Sequence, residues 1–262
     1  MKSVLDFQKM KREGHRISMI TCYDYTSARI VAASKIDCIL VGDSLAMTMH
    51  GQSTTLAATP ELMAQHVEAV RKGAPDKFIV GDMPFLAHRG SLDRAVEATR
   101  LIMKAGAQAV KIEGIEGCEE LYRHLVLSGV PIMGHLGLTP QSVHAFGGFK
   151  VQGTAPDAIA ILTNQAQRLE ACGAFATVLE CIPADVATSV TKNLSIPTIG
   201  IGAGAGCSGQ VLVFQDILGM NTDFQPKFVR KYFEGFTVLK EAFDRYDHEV
   251  KSGEFPTAKE SY

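Results

Sequence analysis

The chain has 262 residues, of which 46% are hydrophobic, and its 26 Lys and Arg nearly balance its 28 Asp and Glu. A chain of this length and apolar content buries most of its surface, which excludes disorder as its main state. The formal net charge of -2 disfavours binding to nucleic-acid phosphates. No apolar run approaches the ~18 residues of a membrane-spanning helix, so a membrane protein is also disfavoured.

Eight short apolar runs recur along the chain and are predicted to be β-strands. Each is too short for a buried helix and is rich in Val and Ile. The runs are apolar nearly throughout rather than alternating, which is typical of a parallel sheet covered on both faces. The predicted strands are residues 18–22, 37–43, 77–82, 108–113, 130–135, 175–180, 196–202 and 210–214.

The segments between these runs carry helix signals. Thr59 precedes Pro60, which predicts a helix with a threonine N-cap and a proline in its first turn. Ser91 is the predicted N-cap of another helix, and residues 157–173 and 183–193 have similar patterns. Strands alternating eight times with helices predict a (β/α)8 TIM barrel, with a doubly wound open sheet as the structural alternative.

The composition shows no break that would indicate a second domain. We therefore expect a single barrel domain over residues 1–262, mostly helical from about 216 to 247, with a polar tail from about 248. The six cysteines form no CxxC pair and no short-spaced framework. With no signal-peptide pattern at the N-terminus, they are expected to be reduced in a cytoplasmic protein.

Three carboxylates stand at the ends of three consecutive predicted strands. Asp43 ends the second, Asp82 the third and Glu113 the fourth. Active sites of parallel barrels lie at these ends, so the three side chains should share one cavity and repel each other. A hard divalent cation would remove that repulsion, and oxygen ligands shared with water and substrate suit Mg²⁺. The alternative for each single residue is a structural role at a strand or helix end.

Three further polar residues are candidates for the same cavity. Lys111 lies two residues before Glu113, so both side chains point to the same face of the strand. It could pair with a substrate carboxylate or form a Schiff base, and a structural ion pair is the alternative. Glu180 ends an apolar strand and is a candidate general base, or alternatively a helix cap. His135 could bind a substrate oxygen or be purely structural.

Several strings of the sequence resemble the ketopantoate hydroxymethyltransferase family. They are VGDSLAMTMHG, GDMPF, VKIEG, GHLGLTPQSV, FGGFKVQG, LECIP and IGIGAG. They occur in family order from Ile20 to Phe214, and two of them are long and unusual. The resemblance implies a (β/α)8 barrel of pantothenate biosynthesis. It also implies transfer of a one-carbon unit from 5,10-methylenetetrahydrofolate to 3-methyl-2-oxobutanoate through a Mg²⁺-stabilised enolate, giving 2-dehydropantoate.

The resemblance also implies roles for particular residues. Asp43 and Asp82 would be Mg²⁺ ligands, with Glu113 as the third carboxylate of the metal site. Glu180 would be the proton acceptor. The keto acid would contact Asp43, Ser44, Asp82 and Lys111, with His135 at the substrate end of the site. Family membership implies a homo-oligomer, often a decamer.

Two rival functions fit part of the pattern. One is another Mg²⁺-dependent barrel acting on 2-oxo acids, of the phosphoenolpyruvate mutase or isocitrate lyase type, or its variant, a Lys111 Schiff-base aldolase. The mutase and lyase type predicts a catalytic cysteine in a loop. The other is a barrel kept as a scaffold without turnover, although a retained carboxylate cluster without a metal would cost stability.

Overall fold

A computed structural model describes residues 1–222 and 226–262. Within these residues, eight parallel strands pair in chain order and close into a barrel, β1 pairing with β8. The prediction of a (β/α)8 TIM barrel is therefore confirmed. The strands are β1 Ile17–Thr21, β2 Cys38–Val41, β3 Phe78–Asp82, β4 Ala109–Glu113, β5 Ile132–Gly137, β6 Ala176–Glu180, β7 Thr198–Ile201 and β8 Gly209–Leu212.

The predicted helix starts are found where the capping residues placed them. The Thr59 hydroxyl accepts a hydrogen bond from the Leu62 N–H at 3.2 Å, and Pro60 is the first residue of its helix. Ser91 caps the next long helix in the same way. The helices of the barrel are α1 Val4–Arg12, α2 Tyr25–Ala33, α3 Leu45–Thr48, α4 Pro60–Gly73, α5 Leu92–Lys104, α6 Glu119–Leu127, α7 Val143–Phe146, α8 Pro156–Ala171 and α9 Ala184–Asn193.

Alternation along the strands fills the lower half of the barrel with apolar side chains. A buried cluster takes one or two residues from every strand, among them Met19, Leu40 and Val80. At the amino-terminal ends of the strands, Phe7 of α1 packs edge-on against Phe78, with ring centroids 5.1 Å apart. The helix α1 thereby contributes an aromatic floor to the barrel, and the polar residues are confined to the opposite end.

The chain divides into two compact units, Met1–Leu212 and Val213–Tyr262. The second unit contains the short helix α10 Phe214–Ile217 and the long helix α11 Gly235–Ser252. Its described residues between these helices are not helical, so the helix expected over 216–247 is only partly present, and α11 runs past the expected tail start at 248. That the chain is one domain stays a prediction.

Over the described residues, no helix is both long enough and apolar enough to cross a lipid bilayer.

Candidate active site

The pleat of the strands directs five polar side chains into the upper half of the barrel. Each lies two or four residues beyond a residue of the apolar cluster on the same strand, so it points to the same side. Lys111, for example, follows Ala109, and His135 follows Met133. The five residues are Asp82 on β3, Lys111 and Glu113 on β4, His135 on β5 and Glu180 on β6.

Asp43 and Asp82 are buried side by side at the ends of β2 and β3. The Asp43 backbone N–H donates to Asp82 Oδ2 at 3.0 Å, which fixes the second carboxylate against the turn that carries the first. Burial, together with the charges of Asp82 and Glu113, raises the pKa of Asp43 well above its usual value. Burial also raises the pKa of Asp82, although Lys111 opposes this shift. The two neighbouring carboxyl groups therefore resist being ionised at the same time.

Lys111 is the cation at the centre of this cluster. Its ammonium lies 3.2 Å from Asp82 Oδ1 and 3.9 Å from Glu113 Oε1, and its side chain is only 5% exposed. Burial alone would lower the pKa of Lys111, but Asp82, Glu113 and Asp43 outweigh it and raise the pKa above its usual value. The amine therefore stays protonated. A protonated amine is not a nucleophile, which disfavours the Schiff-base alternative.

His135 connects the carboxylates of β4 and β6. Its Nδ1 lies 3.3 Å from Glu113 Oε1 and its Nε2 lies 3.2 Å from Glu180 Oε2. Burial and the Lys111 charge lower the pKa of His135, but the two glutamates outweigh them and raise it to about 9. The two glutamates thus favour the imidazolium form of the ring, and Nδ1 also lies 3.2 Å from the Lys111 ammonium.

Glu113 is held from several directions at once. Burial would raise its pKa, but the contacts with His135 and Lys111 and a hydrogen bond from the Gln141 backbone lower it overall. Glu113 Oε2 accepts from the Gln141 N–H at 3.0 Å. Glu113 is therefore held in its ionised form through Oε2, while Oε1 lies near Lys111 and His135 without a hydrogen bond within the described residues.

Gln141 is a residue of the site to which the sequence analysis assigned no role. It lies in the 3-10 turn Pro140–Ser142 that follows β5, and its side chain is buried. Its Nε2 donates to Asp43 Oδ2 at 2.8 Å and to the Met83 carbonyl at 2.9 Å. The only sequence signal was its place in the string GHLGLTPQSV, which says nothing about these contacts.

Ser44 lies at the edge of the cluster, directly after Asp43. Its hydroxyl is 2.8 Å from the hydroxyl of Tyr23, which follows β1. Burial raises the pKa of Tyr23 to about 12, so the phenol stays neutral and is available as a hydrogen-bond donor to Ser44. The predicted site residues are thus close together around one end of the barrel, on or after strands β2 to β6.

The carboxylates of the cluster supply the oxygen ligands that a hard divalent cation requires. Four carboxylates face two cationic side chains, so two negative charges are unbalanced when all of these groups are ionised. Asp82 Oδ1 and Glu113 Oε1 are buried and, within the described residues, make no hydrogen bond beyond their ion pairs. Over the described residues, no group of three or more His, Cys, Asp or Glu side chains is arranged to hold a metal ion. The arrangement fits an ion bound by two carboxylates, with its other positions left to water and substrate.

The closed parallel barrel and its buried set of acids, lysine and histidine define a class of protein, a (β/α)8-barrel enzyme with its active site at the carboxyl ends of the strands. A family model described as ketopantoate hydroxymethyltransferase matches residues 1–258. The chain belongs to this family and is therefore a transferase.

Individual relatives agree with the family model. A 3-methyl-2-oxobutanoate hydroxymethyltransferase of Bdellovibrio bacteriovorus is 56% identical over 262 residues, which cover all of both chains. One of Coxiella burnetii is 55% identical over 252 residues, 96% of this chain and 95% of that protein. The alternative of a scaffold without turnover is therefore wrong.

Solved structures with the same fold come from other enzymes. A phosphonopyruvate hydrolase superposes with a TM-score of 0.67 at 11% identity, covering 99% of this chain and 93% of that one. A 2,3-dimethylmalate lyase, described as a member of the phosphoenolpyruvate mutase and isocitrate lyase superfamily, has a TM-score of 0.61 at 14% identity, covering 100% and 89%. At such identities the likeness shows the shared barrel fold and nothing about the reaction.

Proposed function

We propose that this protein transfers a hydroxymethyl group from 5,10-methylenetetrahydrofolate to 3-methyl-2-oxobutanoate, forming 2-dehydropantoate in pantothenate biosynthesis. The observation that carries the proposal is the chain of contacts from Asp82 through Lys111 and Glu113 to His135 and Glu180. These contacts support a cation site and a base in one cavity, connected through buried groups. Family membership supports 3-methyl-2-oxobutanoate as the acceptor, and the folate donor is what the family resemblance implies.

The anionic keto acid needs positive charge and hydrogen-bond donors at its carboxylate and keto oxygens. Lys111 is a buried, protonated amine and provides the charge. Ser44, next to Asp43 and hydrogen-bonded to Tyr23, provides a hydroxyl with a fixed orientation. His135 adds a second cationic group on the side of Glu180. In our proposal these residues, with Asp43 and Asp82, hold the substrate with its C3 hydrogen toward Glu180.

Asp43 and Asp82 would hold Mg²⁺, with Glu113 as the third carboxylate of the metal site. Asp82 Oδ1 and Glu113 Oε1 support this assignment, because both are buried beside Lys111 and make no hydrogen bond within the described residues. Glu113 would face the ion through Oε1, since its Oε2 accepts from the Gln141 N–H. When bound, Mg²⁺ supplies Lewis-acid stabilisation of negative charge on the keto oxygen.

Glu180 would act as the base that removes the proton from C3. Its carboxylate is the most exposed of the four acids, at 16%, so substrate can reach it, while His135 holds it at 3.2 Å. Loss of the C3 proton leaves an electron pair delocalised onto the keto oxygen. Water breaks both C–N bonds of the folate methylene group, giving formaldehyde and tetrahydrofolate. The C3 carbanion then adds to the formaldehyde carbon, forming the new C–C bond, and the resulting alkoxide takes up the proton that C3 lost.

The raised thiol pKa values of the cysteines support the transferase reaction over a cysteine-dependent alternative. Burial raises the pKa of all six thiols. The pKa of Cys181, which lies beside the proposed base, is raised to about 11. A catalytic thiol would need a lowered pKa. The six are Cys22, Cys38, Cys118, Cys172, Cys181 and Cys207.

The proposal is tested by following exchange of the C3 hydrogen of 3-methyl-2-oxobutanoate in D₂O by NMR, with Mg²⁺ and without folate. We expect exchange in the native enzyme and a loss of at least about 100-fold in Glu180→Gln, the scale of a lost general base. Glu116→Gln, which alters an exposed carboxylate paired with Arg168, is the control and should exchange normally. Exchange that survives in Glu180→Gln, or that is absent from the native enzyme even after folate is added, would contradict it.

We also propose that the enzyme is cytoplasmic and assembles as a homo-oligomer, a decamer by family resemblance. The free state of all six cysteines is compatible with a reducing compartment. The long helix α11 has a row of exposed apolar side chains, which supports a contact between subunits.

A further inference from the structure

Gln141 is a buried residue that forms hydrogen bonds with groups at the ends of three neighbouring strands. Its amide nitrogen binds the Asp43 carboxylate, which follows β2, and the Met83 carbonyl, which follows β3. Its backbone N–H binds Glu113 at the end of β4. Asp43 lies in a turn beyond its strand, so the strand itself does not set the orientation of its carboxylate. The hydrogen bond from the Gln141 amide orients this carboxylate.

The two acceptors also determine which way the amide is turned. A primary amide has two N–H donors on nitrogen and only acceptor capacity on oxygen. Both acceptors, Asp43 Oδ2 and the Met83 carbonyl, lie within 2.9 Å of Nε2. Turning the amide over would place its oxygen against two other oxygens, so this orientation is fixed. The remaining Oε1 is buried and makes no hydrogen bond within the described residues.

We propose that Gln141 is a positioning residue that aligns the Asp43 carboxylate for a divalent cation. Its donation to Oδ2 leaves the other Asp43 oxygen to the ion, and its buried Oε1 is an acceptor for a water or hydroxyl group brought by the ligand. Outer-sphere donors of this kind orient ligating carboxylates and tune metal affinity. The inference rests on the proposed function, because it assumes that Asp43 binds the cation.

Two substitutions of similar size separate this role from simple packing. Gln141→Glu replaces the donor nitrogen by oxygen, and Gln141→Met removes the hydrogen-bonding groups without adding charge. Both keep the backbone N–H that binds Glu113. The matched control is Gln165→Glu on α8, because the Gln165 amide also donates to a carboxylate, Glu116 at 3.2 Å, but on the surface.

The measurement is Mg²⁺ binding by isothermal titration calorimetry, with thermal melting to check folding. We expect Mg²⁺ to bind about 10- to 100-fold more weakly to both Gln141 variants than to the native protein and Gln165→Glu. The kcat of the two Gln141 variants should also fall, and the KM of the keto acid should change less. If Gln141→Glu does not fold, Gln141→Met decides alone.

The outcomes separate this inference from the proposed function. If the Mg²⁺ affinities of the native protein and Gln141→Met agree within about twofold, the role of Gln141 is overturned and the metal proposal stands. Failure of the native protein to bind Mg²⁺ at all would overturn both. Weaker binding in Gln141→Met with an unchanged melting temperature would support the positioning role.

Discussion

Lys111 is a buried charge whose surroundings make it hard to replace. It is the ammonium group between Asp82 and Glu113, and its removal leaves buried carboxylates without their main counter-charge. We predict that Lys111→Gln lowers the free energy of unfolding by about 3–5 kcal/mol in metal-free buffer, the usual result of breaking a buried ion pair. Urea denaturation would measure it. Keto-acid affinity should fall as well.

The control for this prediction is an exposed ion pair. Lys72 lies 2.6 Å from Glu68 on α4, and both side chains are more than half exposed. Lys72→Gln should leave stability nearly unchanged, because exposed pairs contribute little. Equal losses in the two variants would show that the Lys111 contacts carry no special stability.

His88 gives the folded chain a pH dependence at the residue scale. Burial, aided by Arg89, lowers its pKa to about 4 from the usual 6.5. Between these values the unfolded chain binds a proton that the folded chain does not, so stability is fully present above about pH 6.5 and is lost as the pH falls toward 4. From about pH 7 to pH 5 the native protein should lose roughly 2 kcal/mol more than His88→Gln.

Chemical denaturation of both proteins across this pH range measures the difference. His15→Gln is the control, because His15 is exposed. The free energy of unfolding of this variant should follow that of the native protein across the pH range. Parallel curves for the native protein and His88→Gln would contradict the prediction.

The candidate site was partly predictable at this scale. Period-two alternation predicted that Lys111 and Glu113 share a face, and the structure places both in the cavity. Gln141 was missed because it lies in a 3-10 turn after a strand, where the chain path is set by tertiary contacts and not by local periodicity. The contact of His135 with two glutamates likewise depends on which strands become neighbours.

Among the elements, helix α1 has a role that can be separated from catalysis. Its Phe7 packs against Phe78 and Phe175 at the end of the barrel opposite the site. Phe7→Ala should lower the free energy of unfolding by about 3–5 kcal/mol, because it leaves a cavity among buried rings. The kcat of the folded fraction should be unchanged. Urea denaturation and steady-state kinetics at a permissive temperature measure the two effects.

Leu5 on the same helix provides the control, since its side chain is 69% exposed. Leu5→Ala should alter neither quantity. A large loss of kcat in Phe7→Ala with normal stability would show that the floor of the barrel communicates with the site, contrary to this prediction.

Strand and helix signals in the sequence were strong where local chemistry decides the structure. The apolar runs overlap all eight strands, and the capping residues Thr59 and Ser91 located two helix starts. The C-terminal region was less predictable. A mostly helical stretch was expected from about 216 to 247, whereas the described residues between 218 and 234 are not helical. The aromatic floor formed by α1 also had no local signal.

At the scale of the whole molecule, the row of exposed apolar side chains on α11 predicts a contact between subunits of a homo-oligomer. Its spacing of three and four residues follows one face of a helix. We expect Phe243→Glu, at a side chain 69% exposed, to shift the protein to a smaller assembly in size-exclusion chromatography with light scattering. The row consists of Phe236, Leu239, Phe243, Tyr246 and Val250.

The control keeps the helix but changes its polar side. Arg245→Glu, at a side chain 76% exposed, should leave the mass of the assembly unchanged. A native mass in Phe243→Glu would show that α11 does not form the subunit contact.

All of the acids and cations of the site lie on or beside β2 to β6, in unbroken order around the barrel. The remaining arc, formed by β7, β8 and β1, contributes none of them. Loops on that arc can therefore change in evolution, or be exchanged by design, while the acid–base cluster on the other strands is inherited intact.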